Sequence, residues 1–252
     1  MMREYFWDAL IFPFFEKNGI KNFLIFLILS AIGSGIAVLF RGNQIIYWIM
    51  AIIVIIYSFG YLTILAHNKI NNKEEIIPRW NNFREFFKKG FLTVTIILIY
   101  VIVMTSVFSA LFVCIALLLW CIKLTSSIII FLIFLFYFET ISLFMLLFLP
   151  IVHVFYAQNM KSLDAFRLKK IFSLVFRNIP VLLLMYLNIG ILYLPYMLCK
   201  EVTKGIVLNI TVTIPETIIY LYVMASIVYL SASYGRELLI KEKILKTIDQ
   251  QP

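Results

Sequence analysis

Six long apolar stretches alternate with charged segments along the chain. A membrane-spanning helix needs about 20 mostly apolar residues, because an α-helix rises about 1.5 Å per residue and the hydrocarbon layer is about 30 Å thick. Six stretches meet this requirement, near Phe23–Phe40, Ile45–Ala66, Phe91–Cys121, Ile128–Ala157, Ile179–Cys199 and Ile214–Tyr234. The third and fourth are too long for a perpendicular crossing, so we expect them to tilt or to project from the bilayer.

The composition places these stretches in a membrane. Apolar residues make up 63% of the 252 residues and charged residues 14%, against about 45–50% and about 25% in soluble domains. A soluble domain of this size cannot bury so much apolar surface. The sequence therefore predicts an all-α membrane protein, a single domain over residues 1–252, with six transmembrane helices arranged as three hairpins.

The distribution of basic residues predicts which side of the membrane each segment faces. With six crossings, eighteen of the 22 lysines and arginines lie on one side, and only Arg41, Lys123, Lys200 and Lys204 lie on the other. Basic loops tend to stay in the cytoplasm during insertion. We therefore expect a multi-pass protein of the cell membrane with both termini cytoplasmic. The net charge of +9 then indicates contact with anionic lipid headgroups and not with nucleic acid.

A short amphipathic segment precedes the first, third and fifth apolar stretches. Apolar and charged residues oppose each other around residues 3–16, 78–89 and 161–175, a pattern typical of helices that lie in the headgroup plane. The chain then divides into three similar units, about 1–67, 68–158 and 159–235, followed by a cytoplasmic amphipathic tail, 236–252. The alternative is that these are the ordinary amphipathic loops of any polytopic protein.

A few polar side chains in the apolar stretches could carry chemistry. Glu139 lies deep in the fourth stretch, where an ionisable group normally faces the bundle interior with a partner. It is a candidate proton or cation site, or a protonated side chain that hydrogen-bonds to a neighbour. His153 could relay protons, and Asn188 could help to break the fifth span and free backbone carbonyls toward a cavity. An interfacial histidine and close helix packing explain the same two residues without a ligand.

Residues of the second and third amphipathic segments are candidate headgroup contacts. They are Arg79, Trp80, Arg84, Lys88, Lys89, Arg167, Lys169 and Lys170. The three cysteines, Cys114, Cys121 and Cys199, form no C-x-x-C pair and have no histidine cluster beside them. We therefore expect no disulfide, no metal site and no cofactor.

One block of motifs follows the second apolar stretch: Gly60-Tyr61, then Pro78-Arg79-Trp80, then Gly90. It resembles the prokaryotic membrane-protein family DUF4013, a domain of unknown function. In that family a glycine stands before the Pro-x-Trp motif, where this chain has Asn72, and an acidic pair follows the Trp, where this chain has Asn81-Asn82. The resemblance implies the same membrane topology and no particular activity.

Together these observations favour a non-enzymatic membrane protein that organises lipid or a partner at the cytoplasmic surface. The partner would be another membrane protein or a second copy of the chain. The alternative function is a small transporter or channel that uses Glu139. An enzyme is the least favoured class, because no nucleophile elbow, H-E-x-x-H, P-loop or dinucleotide-binding motif occurs.

Cysteine labelling tests the predicted topology. In a chain whose native cysteines are replaced, Asn82→Cys should react with a membrane-impermeant thiol reagent only from the cytoplasmic side. Lys123→Cys should react only from the opposite side, because one predicted span, the third, lies between it and Asn82. Labelling of either position from the wrong side would overturn the six-span arrangement.

Overall fold

The computed structural model describes residues 2–16, 18–79, 82–121, 127–203 and 210–241. Within these ranges the chain is helical and contains no β-strand. Its α-helices are α1 (Met2–Ile11), α2 (Gly19–Leu39), α3 (Gln44–Ile70), α4 (Phe83–Cys121), α5 (Ser127–Asn159), α6 (Leu168–Arg177), α7 (Ile179–Thr203) and α8 (Ile210–Lys241). Six of them, α2 to α5, α7 and α8, are long and apolar enough to cross a membrane. The predicted helical class and the number of membrane-length helices are confirmed.

The second amphipathic segment differs from its prediction. No separate helix forms there, because α4 starts at Phe83 and runs for 39 residues without a break. Proline is absent from this helix, and a glycine at position 90 weakens a helix without ending it. The basic residues at positions 84, 88 and 89 therefore belong to the first turns of a membrane-length helix. Residues of the other two amphipathic segments form α1 and α6, with 3₁₀ helices at Phe12–Phe14 and Ser162–Phe166.

The end of α3 requires an unusual backbone angle. Asn72 has a φ of 50°, in the left-handed region that glycine adopts readily and asparagine tolerates. Its N–H bonds to the carbonyl oxygen of Lys69 at 3.2 Å and closes the last turn of the helix. The linker glycine of the family pattern is thus replaced by a residue type that also adopts this angle.

Helices α3 and α8 form the centre of the bundle. α3 packs against α2, α4, α5 and α8, and α8 also packs against α1, α2, α5 and α7. The core between them is aromatic: Phe26 stacks on Tyr61 with ring centroids 4.0 Å apart, and Phe12 stacks on Tyr229 at 4.9 Å. Large buried rings of this kind contribute much of the apolar area of a core.

Exposed apolar side chains are concentrated in one half of the bundle. On α3 the last exposed large apolar residue is Ile55, and the stretch from Tyr57 to Ile70 exposes none. On α8 the described residues after Tyr220 likewise expose none. The apolar window of α4 has no buried residue at all. This half of the bundle presents the surface expected for contact with lipid.

Helices α3 and α4 touch backbone to backbone at two glycines. A Cβ atom on Gly90 would lie 1.7 Å from the carbonyl oxygen of Ile56, and one on Gly60 would lie 1.9 Å from that of Phe86. Both distances are far below van der Waals contact. Only glycine permits two helices to cross this closely.

Replacing Gly90 with alanine should destabilise the protein by at least about 1–3 kcal/mol, because the added methyl group forces the two backbones apart. The measurement is the melting temperature of the detergent-solubilised protein, read from its monodisperse fraction after heating. Gly190→Ala in α7 is the matched control, since nothing lies within 4 Å of its Cβ position. Equal melting temperatures for the two variants would contradict the close crossing.

Candidate functional site at the polar end of the bundle

A chain of buried polar side chains joins α3, α4 and α5. The Thr63 hydroxyl oxygen lies 2.8 Å from that of Thr93 and 3.2 Å from Nε2 of His153. Thr93 donates its hydrogen to the carbonyl oxygen of Lys89, so its oxygen can accept from Thr63. The single hydroxyl hydrogen of Thr63 is shared by two acceptors, the Thr93 oxygen and the carbonyl oxygen of Phe59, 2.7 Å away. The Thr63 oxygen accepts from His153 in the tautomer that carries the proton on Nε2. We call Thr63, Thr93 and His153 the threonine chain.

His67 of α3 and Asn71, the residue that follows α3, bind the last turn of α5. His67 donates from Nδ1 to the carbonyl oxygen of Ala157 at 2.6 Å. Asn71 donates from its amide to the carbonyl oxygen of Gln158 at 2.9 Å. The carbonyl groups at a helix end have no partner in their own helix, and here α3 supplies partners for them.

These bonds fix the register of α3 and α5. The contacts made by Thr63 and by His67 both join residues 90 positions apart. A constant offset means that the two helices run parallel. With this offset Phe148 of α5 lies level with Ser58 of α3.

The starts of α4 and α6 meet this pair at one height. The Phe83 ring of α4 stacks on Tyr57 of α3 with centroids 5.6 Å apart. The Phe172 ring of α6 lies 4.7 Å from Phe148 of α5. Because Tyr57 and Phe148 are level to within one residue, the basic first turns of both helices lie at the same height on the bundle.

Four cations in these first turns are exposed, and we call them the basic rim: Arg84, Lys88, Lys169 and Lys170. No ion pair within the described residues neutralises any of them. Lys89, the neighbour of Lys88, is half-buried. The rim is therefore a set of positive charges at one height that are not held in ion pairs, and Glu85 adds one exposed negative charge between Arg84 and Lys88.

The other predicted headgroup residues are placed differently. Arg79 forms an ion pair with Glu75, and both side chains are exposed. Arg167 pairs at 2.7 Å with Asp164, whose side chain is only 5% exposed. Trp80 lies outside the described residues. Arg79 and Arg167 thus have internal partners that the rim cations lack.

A carboxylate from the N-terminal segment is bound by the linker after α3. Glu16 accepts the N–H of Ile76 at 2.5 Å and that of Ile77 at 3.1 Å. Burial raises the pKa of Glu16; the two N–H donors oppose this shift, and the charge of Glu75 adds to it. A cavity of about 330 Å³ lies beside Glu16 and reaches Arg79. The contact fixes the N-terminal segment at the polar end of the bundle.

The three candidates predicted within the spans are not brought together. Glu139 lies on the exposed surface of α5, whereas its charge predicts a place in the bundle interior. His153 lies 14 positions further along the same helix, about 21 Å away, in the threonine chain. Asn188 donates to the Tyr234 hydroxyl at 2.9 Å and joins α7 to α8. Among the described residues, no group of three His, Cys, Asp or Glu side chains could hold a metal ion.

The periodicity of α5 explains the exposure of Glu139. Tyr137 faces α4, where its hydroxyl bonds to that of Ser109 at 2.7 Å. Glu139 follows two positions later, a rotation of about 200° around the helix axis. The face of α5 that packs on α4 is therefore apolar and aromatic, and the carboxyl group points away from it.

The match to a known family covers more than half of the chain. Residues 44–200 match the family described as Protein of unknown function (DUF4013). The chain belongs to the DUF4013 family. No curated protein and no solved structure matches it. The DUF4013 region begins at the first residue of α3 and ends within α7, so it includes the glycine crossing, the threonine chain and the basic rim.

Sequence reasoning did not single out Thr63, Thr93 or Glu16, although the two threonines have a sequence signal. Gly60-Tyr-Leu-Thr63 and Gly90-Phe-Leu-Thr93 share the pattern glycine, aromatic residue, leucine, threonine. Each threonine follows its glycine by one helical turn and so lies on the same face. In this DUF4013 chain the glycines bring the backbones together and the threonines bond beside them.

Thr63→Val should lower the stability of this DUF4013 protein by about 1–3 kcal/mol, because it leaves a buried donor on His153 and an acceptor on Thr93 without their partner. Thr95→Val is the matched control, since the Thr95 hydroxyl donates to the Phe91 carbonyl within the same helix. Unfolding in detergent by denaturant compares the two. A Thr63 variant as stable as the Thr95 variant would show that the threonine chain does not hold the helices together.

Proposed function

We propose that this DUF4013 protein is a non-enzymatic integral protein of the cell membrane whose basic rim binds anionic lipid headgroups at the cytoplasmic surface. One observation carries the proposal: exposed cations from two helices far apart in the sequence, α4 and α6, lie at one height on the bundle. Charges at a common height can all contact a flat membrane surface at the same time.

In this proposal the six long helices form three membrane hairpins, α2–α3, α4–α5 and α7–α8. Contacts within each pair support the arrangement: Gly33 to Val54, Ser109 to Tyr137, and Tyr196 to Tyr220. Both termini face the cytoplasm, as the excess of lysine and arginine on their side favours. The first and last helices also meet at one end, where the rings of Tyr5 and Tyr234 are 5.6 Å apart.

Helix α6 lies in the interface as an amphipathic helix. Ile171, Leu174 and Val175 are buried against the bundle, whereas Lys169 and Lys170 are exposed. Exposed phenylalanine rings accompany the cations on both rim helices, Phe176 on α6 and Phe83 and Phe87 on α4, and Phe166 lies in the 3₁₀ helix just before α6. Phenylalanine is common on the apolar face of interfacial helices, which is buried at the boundary between headgroups and acyl chains.

The number of cations in the rim sets the expected free energy of its attraction to an anionic membrane. Each lysine or arginine near an anionic membrane contributes about 1 kcal/mol, so four cations contribute about 4 kcal/mol before entropy losses. This attraction decreases as salt rises, because charges separated by more than about 8–10 Å are screened at physiological ionic strength.

The transporter alternative receives no support from the position of Glu139. The carboxyl group is exposed on the outer face of α5, and it lines neither the cavity beside Glu16 nor a second cavity between α2, α3 and α8. A coupled carboxylate would have to reach a water-filled path between helices.

Removing the rim charges should remove lipid selectivity. The rim variant replaces all four cations with glutamine: Arg84→Gln, Lys88→Gln, Lys169→Gln and Lys170→Gln. Its enrichment for phosphatidylglycerol over phosphatidylcholine should be at least about tenfold lower than that of the wild type. Enrichment is read as lipid bound per protein by native mass spectrometry after gentle extraction from mixed bilayers. The charge-matched control carries glutamine at the four basic positions assigned to the opposite side, Arg41, Lys123, Lys200 and Lys204.

The two variants give opposed outcomes. The control should keep the wild-type enrichment, since its charges lie across the bilayer from the rim. Unchanged enrichment in the rim variant would contradict the proposal. Loss of a co-purified protein from the rim variant, with lipid enrichment intact, would assign the rim to a protein partner instead.

A further inference from the structure

A second cavity lies between α2, α3 and α8, on the other side of α3 from the start of α4. Its volume is about 210 Å³, and its walls are mostly apolar, with Leu62 and Met224 among them. Four residues with hydroxyl groups also line it, Ser34, Ser58, Thr217 and Tyr220. An apolar cavity with a few placed polar groups is the usual form of a ligand site.

The Ser58 hydroxyl is the group that points to a ligand. Ser58 is only 7% exposed, and its hydroxyl has no hydrogen-bond partner. Serine in a membrane helix normally bonds to a carbonyl oxygen one turn back, as Thr63 does to Phe59 on the same helix. A buried hydroxyl without a partner is costly and is rare in native proteins. A bound oxygen atom in the cavity would remove this cost.

The size and the mouth of the cavity restrict the occupant. This cavity is smaller than the about 300–1,000 Å³ of pockets for drug-sized ligands, so it admits part of one hydrocarbon chain and not a whole two-chain lipid. Ile55 and Tyr220 line it as well, and they are 46% and 38% exposed. Its mouth therefore opens on the apolar surface of the bundle, between α3 and α8, where lipid chains are the surrounding solvent.

The depth of Ser58 in the membrane indicates which lipid oxygen its hydroxyl would meet. Ser58 follows Tyr57, the residue on which the first basic turn of α4 stacks. If the basic rim lies at headgroup depth, Ser58 lies at the border between headgroups and chains. The oxygen atoms at that border in a membrane are the ester carbonyls of glycerolipids.

We propose that this cavity binds one acyl chain of a membrane glycerolipid, with the ester carbonyl of that chain accepting a hydrogen bond from Ser58. The assignment of the carbonyl rests on the membrane position proposed for the basic rim. The bound lipid would occupy a defined place between α2, α3 and α8, distinct from the rim on α4 and α6.

Photolabelling in lipid nanodiscs tests this site. The probe is phosphatidylglycerol with a photoreactive diazirine near the carbonyl end of one chain, and labelled peptides are mapped by mass spectrometry. Labels should concentrate in Val54–Leu62 and Thr217–Met224 and be sparse on the exposed face of α4. Ser34→Leu, which fills the cavity, should reduce this labelling at least about fivefold. Ser106→Leu, on the exposed face of α4, is the matched control and should leave it unchanged.

An ether-linked probe that lacks the carbonyl isolates the role of Ser58. The wild type should be labelled about two- to tenfold more by the ester probe than by the ether probe, the range expected for one net hydrogen bond. Ser58→Ala should abolish this preference while it keeps the ether labelling, which shows that the variant is folded.

Three results would overturn the proposal: even labelling over all apolar helices, equal labelling by ester and ether probes in the wild type, or displacement of the probe by free palmitate but not by unlabelled phosphatidylglycerol. The rim variant separates this site from the proposed headgroup binding. Labelling of the cavity should persist without the rim charges, because the two sites are separate, so failure of the headgroup proposal and failure of this one give different results.

Discussion

A Cβ atom on Gly90 would lie 1.7 Å from the carbonyl oxygen of Ile56, and the polar end of the bundle depends on this close approach. Thr93 follows Gly90 by three positions, and Thr63 follows Gly60 by three. Once the backbones cross at the glycines, the two hydroxyls meet at 2.8 Å. In a membrane, lipid is as apolar as the side chains, so helix association depends on close packing and hydrogen bonds. The glycine crossing supplies the close packing and allows the hydrogen bond between the two threonines.

The register of the remaining helices follows from the same contact. His153 bonds to Thr63, and His67 bonds to Ala157 in the same 90-residue offset, so α5 is held parallel to α3. The chain after α5 then folds back, and the Tyr100 hydroxyl of α4 donates to the Ala165 carbonyl at 2.6 Å. This bond and the packing of α6 on α5 bring a second basic segment to the height of the first.

The class of fold is readable from the sequence because it depends on bulk properties: six apolar stretches and a strong asymmetry of lysine and arginine. Helix bounds are less readable at the end of α3, which continues through His67 and Asn68, polar residues beyond the predicted end at Ala66. The partner of His67 lies 90 positions away, and no local pattern reveals it. Glu139 shows the converse. Its charge predicts a place in the interior, but the rotation of α5 that puts Tyr137 on α4 turns Glu139 outward.

The two halves of the bundle differ in how firmly their residues are held, and the rim lies on the firmer half. The part of α4 after Phe108 packs on the part of α5 up to Tyr137. The apolar window of α4 buries none of its residues. Local stability follows buried contacts, so these outer turns should respond to the surrounding lipid. The rim cations instead extend from turns anchored by the glycine crossing and by Phe172 on Phe148. Their spacing is therefore set before a lipid arrives, and a preorganised charge pattern loses less entropy on binding than one carried by mobile loops.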